Sequence, residues 1–404
     1  MPTSIDSVMQ SGISRRGFFR FAAGASALAT MPIFTEPQMA LAQRVKLGDP
    51  NKGIHIDANE NPLGPSEAAR KAVADIIPRG GRYLLNMQEE LVAAFAEQEG
   101  LKPEQVMVFP GSSEPLQYTV LAFSDASHPV VVADPGYEAP IWAAETSKAS
   151  VIKVPLADPR GAAAHDIKAM LAAATSPGVI YICNPNNPTG TVTSRSDIEY
   201  AVANAPKGTI LLIDEAYIHL AGIPSAIDFV KEGKDVIVLR TFSKLYGMAG
   251  LRLGLVIARP DLLSKIGALG GFVALPITAV AAGQVSLADA DLVPARRRII
   301  GDIRNETFDW LKANGYSFTP AQSNCFMLET NRPGKHVIAA MAAKEIYIGR
   351  IWPAWPTHVR ITVGTHEEML AFRSAFKEVM AQPATAWSSE PVLPNPRRGY
   401  RTLG

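Results

Sequence analysis

The stretch Thr209-Ile210-Leu211-Leu212-Ile213-Asp214 decides the fold class, because five residues that favour a β-strand are followed directly by an aspartate. An apolar run without polar alternation is typical of a strand that is buried on both faces of a sheet. Six more such runs are predicted as strands: Val106–Phe109, Val130–Ala133, Ser150–Val154, Val179–Ile182, Val236–Leu239 and Leu253–Ala258. Helical segments separate most of them. This alternation indicates an α/β fold whose mainly parallel sheet is sandwiched by helices.

The remaining segments predict a second, smaller α+β unit. Helices are expected at Ser66–Ile77, Gln88–Glu99 and Glu114–Phe123, and Lys46–Gly64 is expected to be irregular. The smaller unit would contain a long charged helix at Asp289–Lys312, two or three strands, with a strand-like run at Cys325–Leu328, and a terminal helix at Glu367–Met380. The predicted organisation is a leader over 1–42, an N-terminal segment over 43–77 that joins the small domain, a large domain over 78–288, a small domain over 289–382 and a mobile tail over 383–404.

The leader carries the pattern of a twin-arginine export signal. Ser14-Arg15-Arg16-Gly17-Phe18-Phe19-Arg20 precedes a weakly apolar stretch, Phe21–Phe34, which is too short for a membrane span. Ala40-Leu41-Ala42 offers a cleavage site, so the mature chain would begin at Gln43 in a bacterial periplasm. The alternative is an ordinary N-terminus that happens to contain two adjacent arginines.

Composition excludes several classes of function. The 404-residue chain has a net charge of +1, so no basic excess indicates binding to nucleic acid or to an anionic membrane. Its seven histidines and two cysteines lack metal-ligand spacing, and no metal is expected. Cys183 and Cys325 lie in apolar runs, which favours buried free thiols over a disulfide.

Reactive groups follow the predicted strands, where open α/β sheets bind their ligands. Ser112 and Ser113 open a helix, which provides either an anion site or a simple cap. Asp214 ends a buried strand, so it faces a cation unless it caps a surface helix. Lys244 lies between two apolar strands, where a solvated lysine is less expected.

The order of these groups resembles the class I and II pyridoxal-phosphate aminotransferases of fold type I, and most closely the histidinol-phosphate aminotransferase-like branch. The resemblance covers roughly Ile54 to Met380. The motifs that carry it are Ala-Asn-Glu-Asn-Pro at 58–62, Gly-Ser-Ser-Glu at 111–114, Asn-Asn-Pro-Thr-Gly at 186–190, Asp-Glu-Ala-Tyr at 214–217, Ser-Lys at 243–244, Gly-Leu-Arg at 250–252 and Val-Arg-Ile-Thr-Val-Gly at 359–364.

The resemblance implies a role for each residue around the cofactor ring. Lys244 would bear pyridoxal 5'-phosphate as an internal aldimine and would later act as a general acid and base. Asp214 would keep the pyridine nitrogen protonated. Asn187 and Tyr217 would bind the ring oxygen, and Tyr137 would stack on the ring face.

Further residues match the family's cofactor-phosphate ligands. These are Thr241, Ser243, Arg252 and the backbone N–H groups of Ser112 and Ser113. Tyr83 matches a tyrosine that reaches the phosphate from a second subunit, which implies a homodimer with shared active sites. Its neighbours Leu84-Leu85-Asn86 depart from the family pattern.

For the substrate, the resemblance assigns the carboxylate to Arg360, with Arg350, Asn187 and Asn324 as further binding candidates. Trp352 and Trp355 either line the pocket or pack beneath it. An exported enzyme would not meet histidinol phosphate, so the expected reaction moves an amino group from an amino acid or related amine to a 2-oxo acid. The alternatives are a histidinol-phosphate aminotransferase, a lyase, racemase or oxidase on the same cofactor, and a non-catalytic binding protein.

Overall fold

The structure is a computed structural model, and it describes residues 33, 35–43, 52–159, 161–270 and 274–383. The twin-arginine motif, most of Phe21–Phe34 and the predicted tail beyond residue 383 lie outside the described residues. Among the described residues, no helix is both long enough and apolar enough to cross a membrane.

The strands, in chain order, are β1 (Ile54–Ile56), β2 (Val106–Phe109), β3 (Val130–Asp134), β4 (Val151–Pro155), β5 (Val179–Cys183), β6 (Ile210–Asp214), β7 (Val236–Thr241), β8 (Gly254–Ile257), β9 (Cys325–Glu329), β10 (Ile346–Ile348) and β11 (His358–Thr362). The helices are α1 (Glu36–Gln43), α2 (Glu67–Ile76), α3 (Leu85–Glu99), α4 (Ser113–Phe123), α5 (Ala139–Ser147), α6 (Ile167–Ala172), α7 (Arg195–Asn204), α8 (Ile218–Ala221), α9 (Ile227–Lys231), α10 (Pro260–Gly270), α11 (Ile277–Ala288), α12 (Leu292–Ala313), α13 (Gly334–Ala342) and α14 (His366–Ala381).

Within the described part of the chain, seven strands form the large sheet, in the order β2-β8-β7-β6-β5-β3-β4. Strand β8 runs antiparallel to β2 and β7, and the other pairs are parallel. Every residue of β5, β6 and β7 is buried, because both faces of these strands are covered. The expectation of a mainly parallel sheet buried between helices is confirmed, and the ends of β5, β6 and β7 are held together at one edge.

Two small sheets complete the fold. Strands β9 and β11 pair antiparallel, and β1 pairs in parallel with β10. Strand β1 therefore ties the N-terminal segment to the C-terminal part of the chain. The expectation that Lys46–Gly64 is wholly irregular is wrong at Ile54–Ile56, because three residues are too few to show a pattern and their partner lies far along the chain.

Local signals fixed other element boundaries. Helix α2 begins after Ser66, whose side chain accepts a hydrogen bond from the Ala69 N–H, as the sequence predicts. Helix α3 begins at Leu85, three residues before the predicted start. Both Cys183 and Cys325 are buried and free, which confirms the expectation for the thiols.

Candidate active site

A cavity of about 310 Å³ lies at the ends of β5, β6 and β7. Ten of the eleven cofactor-binding residues predicted from the sequence line it: Ser112, Ser113, Tyr137, Asn187, Asp214, Tyr217, Thr241, Ser243, Lys244 and Arg252. These residues come from separate turns, and the parallel sheet brings them to one place. The exception, Tyr83, lies elsewhere.

Asp214 is the last residue of β6 and is buried at one side of the cavity. Its carboxylate accepts hydrogen bonds from the Tyr181 hydroxyl at 2.9 Å and from the Ala216 N–H at 3.1 Å. Burial raises the pKa of Asp214 to about 6, although these hydrogen bonds oppose the change. A carboxylate that is costly to ionise in this position would be stabilised by a cationic group in the cavity.

Lys244 follows β7 and is also buried. Its Nζ donates to the carbonyl oxygen of Asn59 at 3.0 Å and lies 5.7 Å from the centre of the Tyr217 ring. Burial lowers the pKa of Lys244, which increases the share of uncharged amine at neutral pH. An uncharged buried amine is the form that acts as a nucleophile or base.

Asn59 is a positioning residue that the sequence analysis did not single out. Its Nδ2 donates to the Tyr217 hydroxyl oxygen at 2.9 Å, and its carbonyl accepts from Lys244. Asn59 adopts a positive φ of 53°, so the turn aims both groups at the cavity. The available signal was its motif, Ala-Asn-Glu-Asn-Pro, to which no chemical role had been given.

At another part of the cavity, hydrogen-bond donors gather at the start of α4. Ser112 gives this helix no side-chain cap, so the first N–H groups are available to an anion. Arg252 reaches the same place and donates to the Ser243 hydroxyl at 3.3 Å. Gly111 beside it adopts a positive φ of 87°, which favours glycine, and a Cβ there would push the Arg252 guanidinium aside. This donor set suits a phosphate group.

Two of the residues predicted to bind substrate, Asn187 and Arg350, contact Arg360, which lies in β11 and is fully buried. Its guanidinium donates to Asn187 Oδ1 at 2.9 Å and to the Asp57 carbonyl at 2.6 Å. It also donates at 2.6 Å to the carboxylate of Glu36, and Asn187 Nδ2 donates to that carboxylate at 3.1 Å. Arg360 and Asn187 therefore already hold a carboxylate between them.

Arg350 lies beside Arg360 but is engaged differently. Its two terminal nitrogens donate to the two oxygens of Glu138, each at 3.1 Å, and one of them also reaches Glu36 at 3.2 Å. Trp352 lies under both guanidinium groups, with its ring centre 4.6 Å from Arg350 and 5.5 Å from Arg360. Trp352 thus supports the arginines from a buried position, and its indole N–H donates to the Gly136 carbonyl.

Arg350, Arg360 and Trp352 lie behind Glu36 and do not themselves line the cavity, and three further sequence candidates also lie off its wall. Asn324 donates to the carbonyl oxygens of Asn59 and Glu60, each at 3.2 Å, so it holds the loop that carries Asn59. Trp355 packs on a small apolar cluster with Leu156. Tyr83 is 78% exposed and lies in a separate surface groove.

Two glutamates at the site escaped the sequence analysis. Glu36 was assigned to the leader, and Glu138 follows a tyrosine that had been singled out for stacking. For Glu36 the sequence did contain a partial indication of a helix start, because Thr35 and Gln38 have the spacing of a helix capping box. No local pattern could show that either acid meets an arginine more than two hundred residues away.

Comparison with known proteins agrees with this arrangement. Residues 51–376 match the family model for aminotransferase class I and II. Histidinol-phosphate aminotransferase from Moorella thermoacetica is 29% identical over 341 residues, which cover 81% of this chain and 86% of that protein. Aromatic amino acid aminotransferase from Cutibacterium acnes is 32% identical over 321 residues, which cover 78% of this chain and 89% of that protein.

The fold is also shared with solved structures. That of histidinol-phosphate aminotransferase from Sinorhizobium meliloti in complex with pyridoxal-5'-phosphate has a TM-score of 0.73 at 23% identity, over 92% of this chain and 98% of that chain. The architecture and the cavity define an enzyme of the fold-type I, pyridoxal-phosphate-dependent class. The chain belongs to the class I and II aminotransferase family, and it is a pyridoxal-phosphate-dependent aminotransferase.

The residues present fit this cofactor. Arg252 and the uncapped start of α4 offer donors to a phosphate, whereas the buried Asp214 carboxylate suits a protonated ring nitrogen. Lys244 provides a buried amine in the same cavity. In the described residues, no cluster of three or more His, Cys, Asp or Glu side chains could hold a metal ion.

Proposed function

We propose that this aminotransferase takes its amino group from an α-amino acid with an uncharged side chain and passes it to a 2-oxo acid. The observation that carries the proposal is the two-pronged pairing of Arg350 with Glu138. This pair leaves the guanidinium of Arg360, together with Asn187, as the group that holds a carboxylate.

The charges support a single substrate carboxylate. Arg350 and Arg360 contribute two positive charges, and Glu138 neutralises one of them from within the protein. Burial raises the pKa of Glu138, but Arg350 opposes that change, and the paired geometry favours the ionised form. A second substrate carboxylate near Arg350 would face Glu138 at close range, which is unfavourable in a buried site.

The cavity residues divide between holding the cofactor and moving protons. The phosphate of pyridoxal phosphate would be held by Arg252, Ser243, Thr241 and the N–H groups of Ser112 and Ser113. Asp214 would face the ring nitrogen. Asn187 and Tyr217 would bind the ring oxygen, and Tyr137 would stack on the ring face. When bound, the cofactor supplies a ring that accepts electrons from the α-carbon of the substrate.

Lys244 is proposed as the covalent attachment point and as the base of the reaction. Its lowered pKa favours an uncharged amine, and that amine would take the proton from the substrate α-carbon. Asn59 holds Nζ through its carbonyl oxygen at 3.0 Å. The same Nζ would then deliver the proton to the carbon of the cofactor that carries the amino group, so one side chain would serve as both base and acid.

A donor panel tests the substrate class. The purified protein should transaminate neutral amino acids with higher kcat/KM than aspartate or glutamate, measured with a common 2-oxo acid. Glu138→Gln should improve aspartate relative to phenylalanine by about tenfold, because Arg350 loses the carboxylate that pairs with both of its terminal nitrogens. Glu306→Gln is the matched control, since Glu306 pairs with Arg373 away from the cavity.

The result that contradicts the proposal is strong turnover of histidinol phosphate alone. Relatives of that name, such as the Moorella thermoacetica enzyme, show why this substrate belongs in the panel. A lyase, racemase or oxidase activity would be recognised by product analysis. Transamination forms one 2-oxo acid and one amino acid in equal amounts, whereas the other reactions do not.

We also propose export of the protein to a bacterial periplasm by the twin-arginine route. The support is the sequence of residues 14–20 and the Ala-Leu-Ala site that ends at residue 42. Residues 1–42 fused to a reporter should direct it across the inner membrane. Replacement of Arg15 and Arg16 by lysine should stop this transport, and unchanged export in that variant would contradict the twin-arginine proposal.

A homodimer with shared active sites is proposed on the basis of Tyr83. Its side chain is largely exposed in a groove that Leu275 and Pro276 also line, so it is free to contact another subunit. Light scattering should give twice the chain mass. Tyr83→Phe should weaken cofactor binding if the hydroxyl reaches the phosphate of the neighbouring site, and unchanged affinity would contradict that role.

A further inference from the structure

The carboxylate of Glu36 lies where the proposed function places the carboxylate of the substrate. Glu36 is buried, with its oxygens 2.6 Å from Arg360, 3.2 Å from Arg350 and 3.1 Å from Asn187. A glutamate bound to two arginines and an amide has the same chemistry as a bound amino acid or 2-oxo acid. The chain therefore places one of its own side chains on its substrate-binding groups.

The segment that delivers Glu36 is an ordered helix start. The Thr35 backbone N–H donates to the Gln38 side chain at 2.9 Å, and the Met39 N–H donates to the Thr35 carbonyl at 3.1 Å. Pro37 fits the first turn, where a missing N–H costs nothing. Met39 and Ala40 are buried, so the helix is anchored by apolar contacts as well as by charge.

Electrostatics hold the glutamate ionised in this position. Burial by itself would raise the pKa of Glu36, but Arg350 and Arg360 outweigh burial and lower the pKa to about 2. The ionised carboxylate is thus stabilised by the same two cations that a substrate carboxylate would meet. Occupation by Glu36 and occupation by substrate are mutually exclusive at Arg360.

We propose that Thr35–Gln43 is an internal pseudosubstrate that closes the substrate-carboxylate site while leaving the cofactor cavity open. This inference rests on the proposed function, because it takes Arg360 and Asn187 as the substrate-carboxylate site. Thr35, Glu36 and Pro37 form one wall of the cavity, and about 310 Å³ remains beside them. The segment therefore competes with the amino donor and the 2-oxo acid but not with pyridoxal phosphate.

The location of the segment links this closure to processing of the chain. Cleavage after Ala42, the site predicted from the sequence, would remove Glu36 together with most of α1. The unprocessed enzyme would then be loaded with cofactor and closed, whereas the processed enzyme would be open. A leader with this property would prevent transamination before export.

Calorimetry on the full-length enzyme with bound cofactor tests the proposal. The probe is 3-phenylpropionate, which has a carboxylate but no amino group and cannot react. Glu36→Gln should bind it about tenfold more tightly than the unsubstituted chain, as expected if the closed form makes up about 90% of the molecules. The matched control, Glu97→Gln, removes the charge of an exposed glutamate on α3 and should bind like the unsubstituted chain.

A second measurement does not depend on a substitution. Hydrogen exchange of the Thr35–Gln43 amides should become faster when 3-phenylpropionate is added to the unsubstituted enzyme, because the probe displaces the segment. Equal probe affinity in the unsubstituted chain and Glu36→Gln, or exchange that the probe leaves unchanged, would overturn the pseudosubstrate. If transamination persists in that case, the proposed function stands. An enzyme that transaminates no donor, even as Glu36→Gln, would instead count against the proposed function.

Discussion

Replacement of Lys244 by alanine should separate catalysis from folding. The change removes the Nζ hydrogen bonds to the Asn59 and Ala58 carbonyls, at 3.0 and 3.5 Å. Each such bond contributes about 1 kcal/mol, and the loss is offset because a buried amine with a lowered pKa no longer has to be accommodated. The melting temperature should therefore change by no more than about 4 °C.

The effect of the same substitution on activity should be far larger. Removal of the proposed attachment point and base should reduce kcat/KM by at least about 10³-fold, since positioned acid–base groups alone contribute about 10² to 10⁴. The absorbance band of the lysine-bound cofactor should disappear, while the far-ultraviolet circular dichroism stays unchanged. Turnover and the cofactor spectrum are measured on one preparation, together with thermal unfolding.

Lys207→Ala is the control, because it removes an exposed lysine from the loop before β6. It should retain normal turnover and a normal cofactor band. More than about 1% residual activity in Lys244→Ala would exclude the proposed role of Lys244, because loss of a positioned acid–base group alone should cost at least about 10²-fold. A variant that loses activity only because it no longer folds would likewise contradict the prediction.

Three further substitutions probe separate parts of the cavity. Asp214→Asn should lower kcat by about 10² or more. It should not lower the melting temperature of the cofactor-free protein, because the raised pKa of Asp214 shows that the ionised carboxylate is unfavourable there. A normal kcat would exclude a role of Asp214 at the ring nitrogen. Gly111→Ala should weaken binding of pyridoxal phosphate, because the Cβ of the new alanine would displace the Arg252 guanidinium. Fluorescence titration measures the binding. An unchanged dissociation constant would show that Arg252 does not hold the phosphate. Arg360→Lys should raise KM for both the amino donor and the 2-oxo acid by about tenfold. The reason is that a lysine cannot contact Asn187 and a carboxylate in the same plane, as the guanidinium does. A rise in KM for only one substrate would indicate separate carboxylate sites.

The strands and the order of the reactive residues could be predicted from the sequence. Runs such as Thr209–Ile213 are apolar over consecutive positions, and that pattern is local, so the strand and its burial follow from adjacent residues. Asp214 was recognised because it directly follows such a run, and Lys244 because it lies between two of them. Their convergence then followed from the parallel arrangement of the strands, which the alternation with helices indicated.

The contacts around the substrate site depended on tertiary structure. Glu36 and Arg360 are 324 positions apart, and Glu138 and Arg350 are 212 positions apart. No local pattern marks which acid will meet which base, because a buried ion pair forms only where folding removes both partners from water and aligns them. The sequence by itself thus determined the α/β sheet and the reaction class, and it predicted the residues that line the cavity. Only the tertiary structure decided that Glu138 neutralises Arg350 and that a glutamate from the predicted leader occupies the site, since these pairings arise from three-dimensional proximity and not from spacing along the chain.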